Sequence, residues 1–206
     1  MGSTKLRAQA GTKDVALKAD ASTNSLQVID YAHHEIHGGS HYFVVYSVAS
    51  LDAMEGPDDM ITLSWTTPNT EKWAHFNFSV KGTAGWRVRL IENSTTGGTT
   101  GATGTVSILN SDRNSTGASG MLSWDTGAAV AAKMSYDASL AESGAATITL
   151  IDEYIFGDGR FSSGAESGGR DEIILKQNTN YQVSVYGAAA DAATLHLTWY
   201  EHTNAA

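Results

Sequence analysis

The sequence predicts an all-β fold, a single antiparallel β-sandwich or jelly roll preceded by an extended N-terminal arm. Three observations point there. Apolar and polar residues alternate with a period of two along several short stretches, clusters of Gly, Asn, Asp and Ser separate those stretches, and convincing helical periodicity is lacking. The 206 residues include 21 Gly and only 2 Pro, which suits many tight connections between short strands.

Residues 1–25 hold little apolar material beyond Leu6, Val15, Ala16 and Leu17 and read as the arm. Residues 26–206 read as one jelly-roll domain, because no repeat and no Pro- or Ser-rich linker divides them. From Leu26 the pattern alternates. Leu26, Val28, Asp30, Ala32, His34 and Ile36 fall on one face and Gln27, Ile29, Tyr31, His33, Glu35 and His37 on the other. This predicts a strand over 26–37, turned by Gly38–Gly39, where glycine supplies positive φ without steric cost. The β-branched and aromatic run from His41 to Val48 predicts a second strand over 41–50, closed by the turn-rich Glu55–Gly56–Pro57–Asp58–Asp59.

Further strands are expected at about 59–66, 72–81, 84–92, 104–110, 118–124, 145–155, 171–176, 179–187 and 192–202. In the segment Trp73–Lys81, Ala74, Phe76, Phe78 and Val80 share one face. His75, Asn77, Ser79 and Lys81 share the other, so one face packs the core and the other meets water or a partner. The Gly/Thr/Ser/Ala-rich stretch 94–107 reads as loop, and the Ala-rich stretch 127–146 has room for one short helix around Ala128–Ser135.

Composition excludes several classes. With no Cys, neither disulfides, Cys-ligated zinc nor a thiol nucleophile is available. The net charge of −9, with Lys and Arg scattered and no basic cluster longer than Lys5–Leu6–Arg7, argues against nucleic acid as a partner. No apolar stretch has the length to cross a bilayer, and the polar opening lacks the apolar core of a signal peptide. The expectation is a product made in the cytoplasm, with no membrane partner.

The chemical candidates are few. His33, His34, His37 and His41 raise zinc or nickel. In a strand, however, His33 and His37 stand about 13 Å apart and His34 points the other way. Only His37 and His41, facing each other across the expected hairpin, remain as weak metal candidates, with polar hairpin residues as the plainer reading. Asp152–Glu153 and Asp171–Glu172 offer carboxylates, but neighbours on a strand point to opposite faces and neither dipeptide makes a glycosidase pair. Ser is plentiful without a nucleophile elbow. The glycine-rich stretch from Gly157–Asp158–Gly159–Arg160 to Ser167–Gly168–Gly169–Arg170 precedes a strand rather than a helix, so it reads as a contact loop and not a phosphate cradle. Three N-x-[ST] sequons, at Asn77, Asn93 and Asn114, carry no weight without passage through a glycosylating compartment. The residues thus indicate neither an enzyme nor a cofactor. Trp65, Trp73, Trp86, Trp124 and Trp199 either stack on sugars or anchor core and interfaces, the commoner use.

Several segments together carry a resemblance. They are Tyr31–Ala32–His33–His34–Glu35–Ile36–His37 with His41–Tyr42–Phe43, the run from Thr66 to His75, Leu175–Lys176–Gln177–Asn178–Thr179–Asn180–Tyr181, and the ending Trp199–Tyr200–Glu201–His202–Thr203–Asn204. This set resembles a family of tailed-bacteriophage virion proteins with jelly-roll capsid decoration or other auxiliary roles, and the likeness spans nearly the whole chain after the arm. The resemblance implies a cement protein on the capsid surface, made in the host bacterial cytoplasm, whose partners are the major capsid protein and neighbouring copies of itself, most simply as a homotrimer. It implies no active site.

Under that expectation the contact residues are Leu6, Val15 and Leu17 in the arm, His33, His34, His37, His41 and Tyr42 near the first strands, and Trp199, Tyr200 and His202 at the end. The rival from another class is a glycan-binding β-sandwich module, on the virion surface or a fibre, that uses exposed aromatics.

Overall fold

The computed structural model describes residues 7–10, 13–16, 35–48, 59–83, 86–93, 104–123, 131, 133–137, 148–155, 159–163, 172–187 and 192–203. The chain divides into two compact units, Met1–His34 and Glu35–Ala206. In the first, β1 (Arg7–Ala10) pairs antiparallel with β2 (Lys13–Ala16), so the expected arm contains a hairpin rather than being extended throughout. Two strands alone bury too little to be stable independently in water.

The second unit is built from β3 (His41–Val48), β4 (Asp59–Thr66), β5 (Lys72–Gly82), β6 (Trp86–Glu92), β7 (Gly104–Ser107), β8 (Leu109–Asn110), β9 (Leu122–Ser123), β10 (Lys133–Asp137), β11 (Ile148–Ile155), β12 (Gly159–Ser163), β13 (Ile173–Leu175), β14 (Asn180–Gly187) and β15 (Ala193–Thr203). One sheet runs β11-β6-β14-β4-β10-β7, with β9 also on β4. The other runs β12-β5-β15-β3-β8, with β13 also on β5. Every pairing is antiparallel. Without the short strands β7 to β10 and β13, the orders become β11-β6-β14-β4 and β12-β5-β15-β3. Successive strands then alternate between sheets except at β6 and β11, which are neighbours in one sheet, and this is the double Greek-key order of a jelly roll.

Alternation explains which side chains meet between the sheets. In β5, Ala74, Phe76, Phe78 and Val80 are buried, as are Leu195, Leu197 and Trp199 of β15 and Tyr42 and Val44 of β3. Facing them are Ile61, Leu63 and Trp65 of β4, Trp86, Val88 and Leu90 of β6, and Tyr181, Val183 and Val185 of β14. Trp65 meets Phe76 across the gap at 5.1 Å between ring centroids, and Phe76 lies 6.5 Å from Trp199.

Several expectations need correction. Residues 35–37 form a helical turn, not the end of a strand over 26–37, whose remainder (26–34) lies outside the described residues. Gly39 N–H donates to the Ile36 carbonyl and Ser40 N–H to that of Glu35, with Gly39 at φ 71°. That is a Schellman cap. The Gly-Gly pair provides positive φ either way, so it reads equally as a hairpin turn or a helix stop. A side chain on Gly39 would also meet Ser115 Oγ at 2.4 Å. Of the region given to a short helix around Ala128–Ser135, residues 128–130 and 132 lie outside the described residues, and from Lys133 it is instead strand β10, whose alternating Met134 and Tyr136 turn inward as it pairs between β4 and β7. Inside the supposed glycine-rich contact loop, Gly159–Ser163 forms β12 on β5. The stretch 104–110 is two strands, β7 and β8, in different sheets.

Truncating Leu197, fully buried, to Ala is expected to cost about 3 kcal/mol by urea unfolding. Val45→Ala on the open side of β3, where Val45 is 49% exposed, is expected to cost less than about 0.5 kcal/mol.

Candidate interaction face

The two outer faces of the sandwich differ in kind. Outside the seven-stranded sheet, Thr62 and Ser64 of β4, Gln182 and Ser184 of β14 and Ile91 of β6 are all fully buried. Gln182 Nε2 donates to Ser184 Oγ at 2.9 Å, and Thr62 and Ser184 hydroxyls lie 3.3 Å apart. The centre of this face, on β4 and β14, is thus buried, whereas its β6–β11 flank carries the Arg87–Asp152 ion pair and Tyr154, 61% exposed.

The outer face of the six-stranded sheet is open over much of its area, although His75 (9% exposed) and Tyr200 (8%) are buried at one end. Register sets its side chains in rows: Ile174, His75, Tyr200 and His41; Trp73 and His202; Asn77, Thr198, Phe43 and Leu109; Ser79, His196 and Val45; Lys81, Thr194 and Ser47. Val45 (49% exposed), Ile174 (48%), Leu109 (39%) and Trp73 (38%) are four of the most exposed large apolar residues described. The formally charged residues in those rows sit at one corner: Lys81, and Arg160 of β12 in register with it. Four of the chain's seven histidines share the face.

One end of the face is a polar knot. Tyr200 Oη–H donates to the Glu172 carboxylate, whose oxygens lie 2.8 and 2.9 Å away, and Glu172 also bonds His75 Nδ1. The His75 ring stacks on Tyr200 at 4.6 Å and meets His202 edge-on at 4.3 Å. This orients His75 firmly and leaves its Nε2 buried with no hydrogen-bond partner among the described groups. Farther along, Ser111 Oγ lies 2.6 Å from His41 Nδ1, and His196 packs edge-on against Phe43 at 6.3 Å. Desolvation lowers the His41, His196 and His202 pKa values, seconded by His196, Lys81 and His75 respectively; Glu35 and Glu172 partly offset this at His202.

Two buried carboxylates serve the fold. Glu201 accepts from Ser119 Oγ at 2.5 Å, Gly120 N–H at 3.0 Å and Trp199 Nε1–H at 3.0 Å. Glu92 accepts from Tyr181 Oη–H at 2.9 Å and Lys176 Nζ at 2.5 Å, and burial pushes the Tyr181 hydroxyl far up. A shallow depression of about 400 Å³ opens beside Glu201 and is otherwise lined mainly by exposed residues such as Glu71 and Lys72. A carboxylate already given these donors is a structural acceptor.

Scans against protein-family models, curated proteins and solved structures found no match. The geometry therefore stands alone.

The expected contact residues separate. Tyr200, His202 and His41 lie on the open face, whereas Tyr42 (3% exposed) and Trp199 (1%) point inward and belong to the core. The reason is parity: in β3 and β15 they sit one residue from the outward side chains. His37 is exposed on the helical turn, so the hairpin that would oppose it to His41 is not formed, and His41 is engaged with Ser111. Among the described residues no group of three or more His, Asp or Glu is placed to hold a metal. Val15 lies in β2; Leu6, Leu17, His33 and His34 lie outside the described residues.

Of the tryptophans, Trp65, Trp86 and Trp199 are core, Trp73 is open, and Trp124 lies outside the described residues. Asp152 pairs with Arg87 at 2.6 Å, which draws its carboxyl below the usual range. Leu109, Ile174 and His196 were not singled out in the sequence, Glu172 was weighed there only as a carboxylate of Asp171–Glu172, and Phe43 appeared only in the segment His41–Tyr42–Phe43. The outward parity of His75 with Asn77, Ser79 and Lys81 was the available signal, and cross-strand register was the missing one.

The lowered imidazoles set a pH dependence. Above about pH 6.5 they are neutral in both folded and unfolded chains. Below it the unfolded chain takes up protons first, so stability falls with pH. The expected result is a melting temperature that drops between about pH 7 and pH 5, with a smaller drop in His196→Gln and His202→Gln; an unchanged slope in both variants would count against this assignment.

Proposed function

We propose that this chain is a phage virion structural protein, a decoration or cement protein that binds the major capsid protein lattice and stabilises the head. The observation that carries the reading is the open outer face of the six-stranded sheet, rich in aromatic, imidazole and exposed apolar side chains, with its formal charges confined to one corner. That is the composition of an interface centre, where charged residues are depleted. Large exposed apolar patches on soluble domains mark interaction sites.

Two further points support it. The sequence segments named above resemble virion proteins of this kind, and the jelly-roll strand order is shared by viral capsid and lectin domains, which is support by analogy of fold. In this reading the protein acts by binding, at the capsid surface and after synthesis in the host cytoplasm. Neighbouring copies, as a closed homotrimer, would convert a modest affinity per contact into firm attachment.

A glycan-binding module, the reading from another class, has Trp73 as its best support. A stacking platform needs more than one open ring, and the other described tryptophans are core.

The test is co-sedimentation with decoration-free capsids. Wild type is expected to bind saturably at a fixed ratio to the major capsid protein. Leu109→Glu with Val45→Glu is expected to bind about tenfold or more weakly, with unfolding little changed. Deleting residues 1–20 is expected to weaken binding while leaving unfolding of the remaining domain nearly as it was. Equal losses in binding and stability would sink the arm's role, and no binding by the folded wild type would sink the capsid reading.

A further inference from the structure

We infer that the outer face of the six-stranded sheet docks an uncharged, apolar protein surface, and that acid releases it by charging imidazoles on β3 and β15. The inference rests on the capsid-binding reading and names the chemistry and control of that same site.

The size fits. With strands about 4.8 Å apart rising about 3.3 Å per residue, the 8, 11 and 11 residues of β3, β5 and β15 present a planar footprint of roughly 480 Å². The flanking β8, β12 and β13 extend it, and side-chain relief raises it further toward the ~800 Å² per partner of a standard interface.

The charge pattern selects the partner. The chain as a whole carries −9, yet the formal charges in the five rows of this face are confined to one corner, where Lys81 of β5 is in register with Arg160 of β12. The nearby carboxylate Glu172 is held at one end by Tyr200 and His75. A strongly acidic or basic partner would give up its hydration here with little opposite charge in return, a cost that an apolar surface escapes. Val45, Leu109, Ile174 and Trp73, spaced across the sheet, supply the apolar contacts.

The same geometry makes the contact acid-sensitive. His196 is exposed between Ser79 and Val45, with Phe43, Lys81 and His41 as its aromatic and titratable neighbours. His41 faces Ser111, Tyr200 and His196. His202 faces His75, Tyr200, Trp73, Glu35 and Glu172. His75 faces Glu172, Tyr200, His202 and Ile174. Covering the His41, His196 and His202 rings with an apolar surface removes water from the charged form, so docking and protonation oppose each other. Each imidazole driven a further unit below its free value weakens binding about tenfold once the pH lies beneath both. His196, already next to Lys81 and without a carboxylate neighbour, is the most direct reporter.

The experiment is capsid co-sedimentation of the full chain at about pH 7.5 and about pH 5, each at low and high salt, with far-UV circular dichroism confirming the fold. Wild type is expected to bind at neutral pH with little salt dependence and about tenfold or more weakly in acid. His196→Gln is expected to bind at neutral pH and lose part of the acid effect. His196→Arg, charged at every pH, is expected to bind weakly throughout. Equal binding at both pH values, strong weakening by salt, or wild-type binding by His196→Arg would each overturn the inference while leaving capsid attachment intact. Failure of the folded wild type to bind under any condition would overturn the capsid reading and this inference with it.

Discussion

The packing of Trp65 in one sheet against Phe76 in the other, with ring centroids 5.1 Å apart, is the contact on which the rest of the sandwich depends. Tyr181 joins Trp65 on its own sheet at 6.0 Å, and Trp199 joins Phe76 from the neighbouring strand at 6.5 Å. Rings of this size fix the spacing of the sheets and the register of β4 with β14 and of β5 with β15. A slip of one residue would turn every one of them to the outside. The two buried carboxylates follow from the same arrangement. Glu201 takes the Trp199 indole N–H and Glu92 takes the Tyr181 hydroxyl, whereas the Nε1 atoms of Trp65 and Trp86 are buried without a hydrogen-bond partner among the described groups.

Because the interior is committed to packing, function is left to the outer faces. One has buried small hydroxyls at its centre and a charged flank of Arg87, Asp152 and Tyr154. The other sets imidazoles, aromatics and exposed aliphatics in register, with Lys81 and Arg160 at one corner. The knot of Glu172, His75 and Tyr200 anchors one end of that face and ties the entry to β13 onto β5 and β15. The depression beside Glu201 has the shape of a small site, but its buried acid is spent on Ser119, Gly120 and Trp199. A jelly roll of this kind is a frame for presenting a surface, consistent with a protein that works by attachment.

Legibility in the sequence followed local signal. The strands at 41–50, 59–66, 72–81, 179–187 and 192–202 were readable because inward apolar residues and flanking turn residues agree there. β10 and β12 were missed: Lys133–Asp137 alternates over only five residues at the end of an Ala-rich stretch, and Gly159–Ser163 carries little alternation and becomes a strand by pairing along β5. The turn at 35–37 was misread because alternation over a few residues does not separate a strand from a single helical turn stopped by Gly39. Of the interaction face, the C-terminal Tyr200 and His202 and the early His41 were singled out, together with Trp199 and Tyr42, which lie one residue out of phase and face the core.

The sequence by itself determined that the protein is an all-β sandwich, because period-two alternation and turn residues act over neighbouring positions. It also determined the lack of any thiol chemistry and an acidic overall charge. Only the tertiary structure decided which strands are neighbours, and so that His41, His75, His196 and His202, up to 161 positions apart in the chain, share one face with Val45, Leu109 and Ile174. The physical reason is that antiparallel register is set by burial of the opposite face. The aromatic core chooses the pairing, and the composition of the outer face is what that choice leaves exposed.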